Sequence, residues 1–84
     1  MFKNKTADQR NNLCGLRIRA LRKALPTHPS QQKFAAMLQL YGLDMDKNAI
    51  QRIESGARFV TDIELAAIAK VLGVSADVLL GLSE

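Results

Sequence analysis

Apolar residues recur along this chain at helical spacing, in short stretches separated by proline, glycine and small polar residues. Cys14, Ile18, Leu21 and Leu25 fall at i, i+4, i+7 and i+11, which gathers them on one side of a helix predicted over residues 13 to 25. Pro26 and Pro29 of the PTHP segment interrupt it, because proline lacks the amide a helix interior needs and biases the preceding residue out of helical geometry. Ser30 caps a second helix. Phe34, Leu38 and Tyr41 share one side of it, and Gln31, Gln32, Lys33 and Gln39 face water. Gly42 permits the left-handed residue that ends a helix, Leu43 to Met45 carry the chain around, and Asp46 caps a third helix.

That third helix has little to bury. Ile50 and Ile53 anchor one face, while Lys47, Asn48, Gln51 and Arg52 project from the others and Gly56 stops the helix after Glu54 and Ser55. Asn and Gln each offer a donor and an acceptor, the pattern adenine presents in the major groove, and Arg and Lys match guanine. The same composition also suits a solvated face. Further on, TDIE at residues 61 to 64 is a capping box, and Ile63, Leu65, Ile68, Ala69 and Leu72 are expected to form the core side of a fourth helix. Gly73 ends it and Ser75 caps a fifth, very short helix that is expected to bury Val78, Leu79 and Leu82 together. Leu80 points elsewhere, to where a two-fold partner would cover it. Residues 1 to 12 are polar, basic and without period, carrying Lys3, Lys5 and Arg10. They read as a flexible basic arm, solvated or lying along DNA, ahead of a single domain over residues 13 to 84.

Composition narrows the function. At 84 residues and 48% apolar content the chain supports one all-α domain with one core. Its charge is unevenly placed: eleven Lys or Arg stand against four acids through Arg58, and one against four from Phe59 onward. Such a field attracts a polyanion, nucleic acid first and an acidic membrane surface second. Scarce aromatics and the absence of Trp leave little for stacking single-stranded bases. The sequence has no run of 18 apolar residues, and MFKNKTADQR lacks the apolar segment of a signal peptide, so a cytoplasmic protein without a membrane partner is expected. Cys14 fits a small buried hydrophobe, and His28 between Thr27 and Pro29 has no second ligand at metal spacing. With no nucleophile triad, carboxylate pair or phosphate-cradling glycine loop, neither an enzyme nor a cofactor is expected.

The order of motifs, SQQKFA, then AIQRIESGAR, then DIELAAIAKVLGVSADVLL, resembles the lambda-repressor-like, Cro-type helix-turn-helix (XRE) family, over roughly Gly15 to Leu82. One departure is LQLYGLDM, which makes the second helix longer or the turn wider than the common pattern; a longer-turn branch with an RxVTDxEL exit is similar here. The resemblance implies a five-helix lambda-repressor-like domain whose second and third helices form the helix-turn-helix. It implies a sequence-specific regulator of transcription on double-stranded DNA, a repressor acting as a homodimer. Lys47, Asn48, Gln51 and Arg52 would read bases, and Gln31, Ser55 and Arg58 would hold the DNA backbone. Arg22 of the "LR" pair would meet Glu54 of the "IE" pair in a structural ion pair, and Leu80 would lie at the dimer contact. The alternative is a protein-interaction module, an antitoxin or adaptor, docking a partner through its apolar C-terminal end.

Overall fold

A computed structural model describes residues 5–82, and within them the chain forms α1 (Gly15–Ala24), α2 (Gln31–Gln39), α3 (Lys47–Ser55), α4 (Asp62–Leu72) and α5 (Ala76–Leu80). The side chains that the sequence marks as caps make the caps. Ser30 Oγ accepts from the Lys33 amide at 3.1 Å, Asp46 Oδ1 from Ala49 at 2.8 Å and Ser75 Oγ from Val78 at 3.3 Å. Thr61 and Glu64 form the full reciprocal box at 3.2 and 3.0 Å. Each satisfies amides that a helix start leaves without an internal partner.

The core joins all five helices. Cys14 and Ile18 at the start of α1, Phe34 and Leu38 of α2, Ile50 and Ile53 of α3, Ile68 and Leu72 of α4 and Leu79 of α5 form one buried cluster. In this arrangement α1 packs on α3, α4 and α5, while α2 packs on α3 and α4. The fold is the all-α, five-helix architecture the periodicity implies.

Four expectations are corrected. Tyr41 is not on the buried side of α2: the helix ends at Gln39 and Tyr41 is 55% exposed. The amides of Leu40 and Tyr41 bond to the carbonyls of Met37 and Leu38, three residues back. That tightening rotates Tyr41 off the helical register, and Met45 enters the core in its place. The segment LQLYGLDM therefore widens the turn rather than lengthening the helix. Ile63, expected in the core of α4, is 74% exposed. At about 100° per residue it lies about 140° around the helix from Ile68, off the stripe of Leu65, Ile68, Ala69 and Leu72. Leu82 is 72% exposed, because Gly81 takes φ 75° and turns the chain away after α5. Leu80, expected to face outward, is half-buried and lines a small recess of its own chain with Leu13, Cys14, Phe59, Val60 and Leu65.

Gly15 sets how closely the start of α1 approaches the end of α3. A Cβ at this position would lie 2.1 Å from the Ile53 carbonyl oxygen, a backbone atom that cannot turn aside. Gly15→Ala is therefore expected to lower stability by about 1–3 kcal/mol through overpacking, read as a fall in the urea midpoint at constant m-value. An unchanged midpoint would mean that α1 and α3 are not held this close.

Candidate nucleic-acid interface

On α3 the two faces are sharply different. Ile50, Ile53 and Glu54 are buried, whereas Lys47, Asn48, Gln51, Arg52 and Ser55 are all exposed. The exposed set falls at i, i+1, i+4, i+5 and i+8, one continuous polar stripe along the helix. Lys47 and Asn48 border a groove shared with Gln32, Ala36 and Gln39 of α2. Gln51 and Ser55 lie further along, toward Gln31 at the first turn of α2.

The buried side is fixed by an ion pair. Arg22 of α1 donates through Nε to Glu54 Oε2 at 2.7 Å and through Nη2 to Oε1 at 2.9 Å, a two-point grip with both side chains almost wholly out of water. Arg22 Nη1 donates to the Pro29 carbonyl at 2.8 Å, and Gln31 Nε2 donates to Glu54 Oε1 at 3.0 Å. The carboxylate bonds raise the Arg22 pKa above its ordinary value against the opposing effect of burial. Arg22 thus stays charged.

The C-terminal end of α3, where Glu54 lies, is held by the segment before α1. Arg10 donates through Nη2 to the Glu54 carbonyl at 2.7 Å and through Nη1 to the Ser55 carbonyl at 3.1 Å. The Asn11 amide donates to Gly56 O at 2.9 Å and its Nδ2 to Ala57 O at 3.0 Å. Asn12, buried, donates through Nδ2 to Ile53 O at 3.0 Å and Arg58 O at 2.9 Å, while its Oδ1 accepts from the Gly15 amide at 2.9 Å. Carbonyls at a helix C-terminus lack internal partners and carry partial negative charge, so an arginine and two asparagines there satisfy both needs. Within residues 6 to 12 the segment is therefore a clasp on α3, where a flexible arm is expected from its composition. Lys3 of that arm lies outside the described residues.

The helix-turn-helix family model matches residues 18–79, from Ile18 to Leu79. The chain belongs to the helix-turn-helix family, of the XRE, lambda-repressor-like type. Its members are DNA-binding regulators, and α2, the turn and α3 are the element that gives the family its description. No curated protein matches the chain, and no solved structure does. No helix of the described residues is long and apolar enough to cross a membrane.

Of the residues that the sequence singles out, this helix-turn-helix brings Lys47, Asn48, Gln51, Arg52 and Ser55 onto one stripe and sets Gln31 beside it. Ser55 Oγ donates to the Arg52 carbonyl at 3.2 Å. Arg58 stands apart: its Nη2 is turned back onto Glu64 Oε2 at 3.0 Å, and its Nη1 is buried without a hydrogen-bond partner. Arg10 and Asn12 are the positioning residues that periodicity does not reveal. Asn12 leaves one local signal, its spacing of three residues from the Gly15 amide, which is the spacing of an N-terminal cap.

Removing one partner of a buried pair strands the other charge. Glu54→Ala is expected to destabilise the fold by about 3–5 kcal/mol, measured by chemical denaturation. Arg58→Ala, which breaks a more exposed pair, is expected to cost about 1 kcal/mol or less. Equal losses in the two variants would refute the structural ranking of these pairs.

Proposed function

We propose that the protein is a sequence-specific regulator of transcription, a repressor that reads the major groove of double-stranded DNA with α3 and acts by occupying its site. The observation that carries this reading is the stripe on α3: Lys47, Asn48, Gln51 and Arg52 are exposed together, while the opposite face of the same helix is locked by Ile50, Ile53 and Glu54. In the groove Asn48 and Gln51 match adenine through paired donor and acceptor, and Lys47 and Arg52 match guanine or a flanking phosphate. Gln31 and Ser55 hold the backbone beside them. Arg58 joins them only by exchanging Glu64 for a phosphate.

A homodimer completes the proposal. Leu13 and Phe59 are exposed on the rim of the recess that Leu80 lines, and a second copy covering this edge would pair two reading helices across a pseudo-palindrome. Phe59→Asp, on the exposed rim, is expected to shift sedimentation equilibrium toward monomer while leaving the melting temperature nearly unchanged. An undisturbed dimer would move the contact elsewhere.

Selection of duplexes from a random double-stranded library tests the reading itself. The expected product is a consensus with half-sites about one helical turn apart. On the best duplex Asn48→Ala is expected to cost about 1–3 kcal/mol and to relax one position of the consensus. Uniform weakening across sequences would count against base reading by Asn48. Failure to enrich any sequence would favour partner capture by the same fold.

A further inference from the structure

Beside α3, on the side of α1, lies a polar recess of about 210 Å³ lined by Arg19, Gln31, Gln51, Glu54 and Ser55. Three helices build it: Arg19 comes from α1, Gln31 from the first turn of α2, and the others from α3. Its acid is already engaged. Arg22 takes both oxygens of Glu54 and Gln31 donates to one of them, so the carboxylate adds little negative potential to the opening. Arg19 is exposed, and among the described residues no hydrogen bond or ion pair engages it.

The neighbouring arginines are committed elsewhere. Arg10 holds the end of α3, Arg17 lies against Gly81, Arg22 is in the buried pair and Arg58 is on Glu64. Arg19 alone brings a guanidinium to this recess, and Lys23, one helical turn further along the same exposed edge of α1, extends the positive field. A base edge presents donors and acceptors together, whereas a phosphodiester presents only acceptor oxygens and one negative charge. A recess with a guanidinium at its rim and glutamine amides suits the phosphodiester, and the Ser55 hydroxyl joins them on leaving the Arg52 carbonyl. It also opens beside Gln51, on the stripe that α3 presents.

We propose that this recess receives one backbone phosphate of the bound duplex and that Arg19 is the residue that positions it. The inference rests on the reading of α3 as the DNA-binding helix, and it adds α1, outside the helix-turn-helix, to the contact surface. A contact of this kind locks the rotation of the duplex relative to α3 without reading sequence.

The test uses the full chain and its selected duplex, remade as a series in which one linkage at a time is a neutral methylphosphonate. At one linkage in each half-site the wild type is expected to lose about tenfold in affinity, as for a charge-assisted hydrogen bond, and Arg19→Ala is expected to be indifferent there. Arg19→Ala should also lower the slope of log affinity against log salt by about 1, equally on selected and scrambled duplexes. Arg19→Lys should keep the slope, and all three proteins should melt together. An Arg19→Ala protein with the wild-type slope and the wild-type linkage profile overturns the role of Arg19, while Asn48→Ala continues to report on base reading. A wild type that binds no duplex overturns both.

Discussion

The two-point bond between Arg22 and Glu54 is the constraint on which the rest of the molecule depends. Burying two charges is costly, and a well-packed apolar pair of similar volume is often as stable or more so. What the pair supplies here is direction. The α3 helix buries only two large side chains, Ile50 and Ile53, each worth about 1.5–3 kcal/mol of apolar burial. That is enough to attach a nine-residue helix but a weak determinant of its rotation about its own axis, since apolar contact is not directional. One carboxylate on that helix, held by α1 and by Gln31 of α2, removes the freedom. The Arg22 bond to the Pro29 carbonyl ties in the break between the first two helices.

The C-terminal end of α3, which also carries Glu54, is held further by different chemistry with the same effect. Arg10, Asn11 and Asn12 cover the carbonyls from Ile53 to Arg58, and Gly15 brings α1 close enough for Asn12 to bridge the two helices. Held on its buried side and at its C-terminal end, α3 presents its polar stripe already in place. Ordering side chains and loops at an interface costs free energy on binding, and a pre-organised surface avoids part of that cost.

The helices and their caps were legible in the sequence because they are local. Ser30, Asp46, Thr61 and Ser75 each act within three residues of their own position, and the core faces of α1 and α3 follow from helical spacing. The Arg22–Glu54 pair was legible only through family resemblance, because its partners are 32 residues apart. What escaped is what depends on tertiary geometry. Tyr41 and Ile63 are apolar residues at plausible distances from their neighbours, yet a tightened last turn and a stripe offset by 140° leave them in water. The clasp escaped for a related reason: Arg10 and Asn11 look like any polar terminus until the carbonyls 44 to 46 residues later are brought beside them.

The same geometry changes what the net charge means. Through Arg58 the sequence carries a large excess of cations, and an electrostatic reading would credit all of them to a polyanion. Arg10, Arg22 and Arg58, however, are occupied by helix carbonyls, Glu54 and Glu64. These arginines shape the surface more than they charge its face. Of the exposed cations, Lys47 and Arg52 lie on the stripe and Arg19 of α1 lines the recess beside it; Lys23 and Lys33 are exposed as well. Salt dependence counts the phosphates that are neutralised, not the formal charge of the chain. A slope well below the number of basic residues is therefore what the proposed DNA contact implies, since part of the positive charge is used to hold α3.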